Sequence, residues 1–173
     1  MKIAYCPFDD QGTVDAIYRN IRLFHRGIFS TFLEKYDLNI RVHGRIQPGA
    51  GLQVLRNVKF DEQIYVFGHG AEGSDTITAM DGSSLTLAQL AEQLFMDGMS
   101  MSQQKLKLFS CEGGRGGNDS MAAKLKVCLQ QWGYRDIAVY GYTESLAIGT
   151  QGALQQKFGT DTGARAKSVR VRF

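Results

Sequence analysis

Two short motifs in this chain of 173 residues carry side chains that can do covalent chemistry together: Phe67-Gly68-His69-Gly70 and Phe109-Ser110-Cys111-Glu112-Gly113. A thiol is a competent nucleophile only as the thiolate, and a nearby imidazole can take its proton or stabilise the anion. Glycines beside the histidine let a substrate backbone approach without a Cβ in the way. The amide N–H groups of Gly70 and Cys111 are candidate donors to an oxyanion, each worth about 3 kcal/mol in a transition state. His69 and Cys111 are therefore the candidate catalytic pair.

Each motif must be held at the end of a strand. Ile64-Tyr65-Val66-Phe67 is wholly apolar, the pattern of a strand buried on both faces, and it stops at Gly68. Lys105 to Ser110 reads as a second strand, with Leu106 and Leu108 on one face, and Cys111 stands at its end. The candidate pair is 111 − 69 = 42 residues apart, room for a hairpin, a helix and a return strand. Such a crossover brings both side chains to the carboxyl edge of a parallel sheet, where ligands of open α/β sheets bind. Thr76 to Met80 with the turn Asp81-Gly82 is the expected hairpin. Thr86 and Gln89 have capping-box spacing and open a helix whose stripe is Leu87, Leu90, Ala91, Leu94 and Phe95. After Cys111 a glycine-rich turn, Gly113 to Gly117, leads to a helix expected to begin near Asn118 or Asp119. Its stripe is Met121, Leu125, Cys128, Leu129 and Trp132, and its N-terminus would add a modest positive field.

The remaining segments continue the alternation. Lys2 to Cys6 reads as a strand, and Val14, Ile17, Ile21, Phe24, Ile28 and Phe32 give one face of a helix. Leu38 to Ile46, Ile137 to Tyr140 and Ser168 to Phe173 read as further strands, while residues 143–163 show no clear pattern. Strands alternating with helices predict an α/β domain with a mainly parallel sheet, and the length suits one domain over residues 1–173.

Composition narrows the function. Hydrophobic residues make up 43% and charged residues 21%, ordinary for a globular protein, and a net charge of +3 is too small to argue for nucleic acid. No apolar run nears the ~20 residues of a membrane span. Met1 to Pro7 reads as a strand and not as a signal peptide, so the expected setting is the cytoplasm, or a host cytosol after delivery. Three cysteines make no disulfide framework. Cys128 shares a helix stripe and Cys6 ends a strand, so both are expected to be structural, as are His25 and His43. A phosphatase loop fails because residue 117 is glycine and Arg115 comes too early. The His-x-Glu and Pro-Cys-x-x-Cys of a zinc deaminase are missing, and the loop Gly113 to Gly117 fits neither a dinucleotide fingerprint nor a P-loop. No metal or obligatory cofactor is expected.

The order strand, His-Gly, hairpin, helix, strand, Cys resembles clan CD cysteine peptidases such as caspases, legumain, gingipains and separase. It is most similar to the self-processing cysteine protease domains of large bacterial toxins. The likeness covers residues 1–142. It implies a caspase-like three-layer α/β/α sandwich with a mostly parallel sheet of about six strands. It makes His69 the acid or base and Cys111 the nucleophile of a dyad, with no third member. Where caspases carry Gln-Ala-Cys-Arg-Gly, this chain has Phe109, Ser110, Cys111, Glu112 and Gly113, which disfavours aspartate specificity. Phe109 offers an apolar wall to the first specificity pocket. Asp9, Asp10, Asp75, Glu112 and Glu144 are the alternatives that would meet a basic side chain. The toxin domains are activated by inositol hexakisphosphate, which implies a basic pocket from Lys105, Lys107, Lys167, Arg170 and Arg172, against the plain alternative of a solvated basic face. The β-hairpin flap those domains carry after the core is expected to be short or absent here. The implied partner is a peptide or protein, its own chain included, in a toxin or effector. The alternative is a catalytically silent binding module.

Overall fold

The computed structural model describes residues 2–17, 38–42, 53–151 and 154–173. Six strands form the main sheet: β1 (Lys2–Cys6), β2 (Leu38–Val42), β3 (Gln63–Phe67), β6 (Lys105–Phe109), β7 (Ala138–Tyr142) and β10 (Arg170–Arg172). Their order is β10-β7-β6-β3-β1-β2. Every pairing is parallel except that of β10 with β7. This is the mixed α/β architecture expected from the sequence, and it is consistent with a caspase-like fold. Strand β10 is shorter than the expected Ser168 to Phe173, whereas β7 runs on past Tyr140 to Tyr142. Two small hairpins flank the sheet, β4 (Thr76–Thr78) with β5 (Ser84–Thr86), and β8 (Leu146–Gln151) with β9 (Leu154–Gly159).

The second hairpin corrects an expectation. A flap after the core was to be short or absent, yet β8 and β9 pair over six residues each. Glycine and alanine are poor strand formers, so Leu146-Ala147-Ile148-Gly149-Thr150-Gln151 carries a weak strand signal in sequence. The expected helix face at Ile21, Phe24, Ile28 and Phe32, the strand end after Val42, and His25 and His43 lie outside the described residues. Residues 11–17 are helical (α1), with Val14 and Ile17 in the core.

Helices α2 (Leu87–Met96) and α3 (Met121–Gln131) pack on each other and on one sheet face. That face presents Ile64, Val66, Leu106, Leu108 and Val139, all fully buried. The helices answer with Leu87, Leu90, Ala91 and Leu94, and with Met121, Ala122, Leu125 and Leu129. Each such leucine or isoleucine contributes roughly 2 kcal/mol by leaving water. The crossovers β3–α2–β6 and β6–α3–β7 move along the sheet in one direction, whereas β1 to β2 moves the other way. With right-handed connections as the rule, α1 is expected on the face opposite α2 and α3, the three-layer arrangement read from the sequence.

Thr86 caps α2 in a full capping box with Gln89, as its spacing predicts. Phe95 and Trp132 depart from their expected burial. They sit at the C-terminal ends of α2 and α3, 39% and 36% exposed, and stack on each other 4.8 Å apart beyond the cover of the sheet. No helix among the described residues is long and apolar enough to cross a membrane.

A buried polar tie joins the first strand to the end of α2. The Tyr5 hydroxyl donates to Asp97 Oδ2 at 2.6 Å, and both residues are fully buried. Burial first, and then the carboxylate beside it, push the phenol well above its usual range, so it stays a donor. A hydrogen bond to a charged group is worth about 2 kcal/mol. Tyr5→Phe is therefore expected to lower the unfolding free energy by about that amount, read in urea as a lower midpoint with an unchanged slope.

Candidate active site

Strands β3 and β6 are neighbours in the middle of the sheet, and Phe67 pairs with Phe109 in their parallel register. His69 lies two residues beyond Phe67, and Cys111 two residues beyond Phe109. The candidate pair thus occupies equivalent positions just past adjacent strands, whose backbones run roughly 4.8 Å apart.

The histidine turn is pressed on from three sides. A Cβ on Gly68 would stand 2.5 Å from Ile77 Cγ1, and one on Gly70 would stand 2.6 Å from Met121 Sδ and 3.1 Å from Ser110 Cβ. The backbone of His69 exchanges hydrogen bonds with Thr78: its N–H donates to Thr78 O at 2.7 Å and its O accepts from Thr78 N–H at 3.0 Å. The hairpin β4–β5 therefore splints His69, and the Asp81 carboxylate shapes its turn by accepting from Ser83 N–H at 2.8 Å. The His69 ring is exposed, and its Nε2 lies 3.0 Å from Met80 Sδ. Among the described residues, neither ring nitrogen is hydrogen-bonded to Cys111 Sγ.

Cys111 is half-buried, and the residue after it is in the left-handed region. Glu112, at φ 53°, is the single non-glycine residue with positive φ among those described. Such backbone costs about 1–2 kcal/mol and persists only where the surroundings over-determine it. Those surroundings are mostly backbone. Glu112 N–H donates to Glu144 O at 3.3 Å, Gly114 N–H to Tyr142 O at 2.8 Å, and Ala122 N–H to Gly113 O at 2.8 Å. Gly114 abuts Gly141 so closely that a Cβ would stand 2.6 Å from the Gly141 carbonyl carbon. A 3₁₀ turn (Gly117–Asp119) follows, and α3 begins only at Met121, capped by Ser120, a little later than the sequence suggested. Among the described residues, the amide N–H groups of Gly70 and Cys111 donate to nothing.

The other candidate residues are placed unevenly. Phe109 is half-buried, 4.6 Å from the Phe67 ring and 5.9 Å edge-on to Tyr142. Glu112 pairs with Arg115 at 3.1 Å, and Arg115 reaches Glu72 at 3.4 Å, which links the two loops across the surface. Glu144 is buried, and its carboxylate accepts from Asp161 N–H, Thr162 N–H and Thr162 Oγ1, so it holds the turn after β9. Asp75 pairs with Lys124 at 2.7 Å. Asp10 caps α1, accepting from Thr13 N–H and Oγ1 and from Gly12 N–H, which lower its affinity for a proton. Asp9 is exposed.

Of the basic residues, Lys105, Lys107, Arg170 and Arg172 share the sheet face away from α2 and α3. Arg172 pairs in register with Tyr140, and Tyr140 with Lys107. The Lys107 ammonium is buried against Gln63 Oε1 at 2.6 Å and the Tyr65 hydroxyl at 2.9 Å, and Arg170 lies 5.0 Å over the Tyr140 ring. Lys167 stands apart, exposed in the turn before β10.

The other two thiols are unsuited to attack. Burial pushes Cys6 up to about 11, and burial likewise raises Cys128. No cluster of three or more metal-ligating side chains occurs among the described residues. Met80, Glu72 and Arg115 are site residues that the sequence reading missed. Met80 stood only as the end of an expected hairpin strand, and Arg115 only as part of the glycine-rich turn.

A family model described as a domain of unknown function (DUF8616) matches residues 38–156. The chain belongs to this family. The matched stretch holds both motifs, so the DUF8616 domain includes the edge formed by β3 and β6. No curated protein matches the sequence. Among solved structures the DUF8616 chain is similar to a secreted C11 cysteine protease from Bacteroides thetaiotaomicron, solved in complex with an irreversible peptide inhibitor. Identity is 12% and the TM-score 0.42, over 83% of this chain and 48% of that one. The chain thus spans about half the length of the structure it matches.

The clamp on the cysteine loop sets a testable order of costs. In Gly114→Ala the new methyl meets backbone, whereas in Gly70→Ala it meets the flexible end of Met121. Thermal or urea unfolding should show Gly114→Ala destabilised by about 3 kcal/mol or more and Gly70→Ala by about 1–2 kcal/mol.

Proposed function

We propose that this chain is a cysteine endopeptidase, with Cys111 as nucleophile and His69 as its proton carrier. The observation that carries this reading is the shared register of the two motifs on adjacent central strands. In the reaction, the Cys111 proton passes to the imidazole as Sγ bonds to the scissile carbonyl carbon. The unpaired N–H groups of Gly70 and Cys111 receive the oxyanion. His69 then protonates the leaving amine as the C–N bond breaks. Water, deprotonated by the same imidazole, releases the acyl group from the thioester and restores the thiol.

The finer reading is a self-processing toxin or effector protease that inositol hexakisphosphate activates. It rests on the resemblance to toxin domains, with Lys105, Lys107, Arg170 and Arg172 on one sheet face as the supporting placement. For specificity, Phe109 supports an apolar first pocket, and Glu112 is the carboxylate nearest the nucleophile in sequence. A silent binding module is favoured by one observation, that the His69 ring contacts Met80 and not Cys111.

Labelling with a broad peptidyl electrophile, mapped by mass spectrometry with and without inositol hexakisphosphate, tests these readings together. Modification is expected at Cys111 and not at Cys6 or Cys128, and to slow by about 100-fold or more in His69→Ala. Dependence on the added phosphate would assign the self-processing class. Cys111 reacting no faster than the other thiols in both conditions would leave the binding module.

A further inference from the structure

We infer that Met80 is a positioning residue for His69: its thioether accepts the imidazole Nε2–H and leaves Nδ1 as the nitrogen free to take a proton. The inference rests on the reading of His69 as the proton carrier. Its basis is the 3.0 Å approach of Nε2 to Met80 Sδ, with no hydrogen-bond partner to Nδ1 among the described residues. In a neutral imidazole the bond made by one nitrogen decides which carries the hydrogen. Sulfur here can only accept, so Nε2 is the donor and Nδ1 keeps its lone pair.

Met80 is held for this task from a separate part of the chain. Its side chain is 52% exposed, so burial does not fix it. Its backbone N–H donates to Thr13 Oγ1 at 2.9 Å. Thr13 Oγ1 in turn donates to Asp10 Oδ2 at 2.6 Å, and the Asp81 backbone also favours the charged Asp10 carboxylate. The cap of α1 thus grips the turn at Met80 and Asp81, while Thr78 in the same hairpin grips the His69 backbone. Ring and backbone of the histidine are both set by the hairpin that lies between the motifs. An exposed methionine has no packing reason to sit there.

The test uses the whole chain with ¹⁵N-labelled histidine. At a pH where the ring is neutral, the unaltered protein is expected to show a His69 Nε2–H proton signal, because the bond slows exchange with water. Met80→Leu keeps the bulk and removes the acceptor, and should lose that signal without a change in melting temperature. Met80→Gln supplies a carboxamide oxygen and should restore it. Cys111 labelling should fall about 3-fold in Met80→Leu, the worth of one weak neutral hydrogen bond, and recover in Met80→Gln. A signal absent from the unaltered protein, or one that persists in Met80→Leu, overturns the inference. An unreactive Cys111 in the unaltered protein would sink the peptidase reading, while the ring signal would still decide the contact.

Discussion

The parallel register between β3 and β6 is the constraint on which the rest depends. With Phe67 opposite Phe109, both strands end at the same height, and His69 and Cys111 each stand two residues beyond that pair. A slip of one residue would turn Leu106 and Leu108 out of the core shared with α2 and α3. The burial that fixes the register therefore also fixes the height at which the two motifs leave the sheet. Both strands are central, so the hydrophobic core sets this geometry more firmly than any loop contact could.

The two halves of the site are held by different means. The cysteine loop is clamped backbone to backbone, by Gly114 against Gly141 and by amide bonds to Tyr142 and Glu144. Such a clamp admits no side chain and tolerates little movement. It gives a reason for the left-handed Glu112, since the loop must turn sharply after Cys111 and still reach β7. The surface pairs of Arg115 with Glu72 and Glu112 are largely exposed and add little. Glu144 acts from inside: its carbonyl receives the loop, and its carboxylate receives the turn after β9. One buried residue thus ties the β8–β9 hairpin to the loop of the proposed nucleophile.

What could be read from sequence follows how local each signal is. The strands at Ile64, Leu106 and Val139 were legible because burial on both faces, or alternation across them, leaves a pattern a few residues long. The capping box at Thr86 is a contact over three residues and was equally plain. Phe95 and Trp132 failed because periodicity gives a face and not the extent of what covers it. The β8–β9 hairpin failed because weak strand formers build it, and pairing with a partner strand supplies what propensity lacks. Glu144 and Asp10 looked like carboxylates free to meet a substrate. Their partners, backbone amides of a turn and of a helix start, have no sequence signature of their own.

The proposed proton carrier sits in the softer half. Its backbone bridge to Thr78 is firm, but its ring is exposed and touches one sulfur, a weak acceptor on a half-exposed side chain. The His69 ring is held by a single side-chain contact, whereas moving the Cys111 backbone means breaking the fit of Gly114 on Gly141. Backbone adjustment that brings imidazole and thiol into hydrogen-bond contact therefore costs least in His69 and its hairpin, which carries Met80 with it. Catalytic hydrogen bonds often tighten only when substrate is bound, so a ring parked on Met80 is compatible with a working dyad. The β4–β5 hairpin is then the element that decides whether the two meet, and its turn is anchored by the first loop of the chain through Thr13.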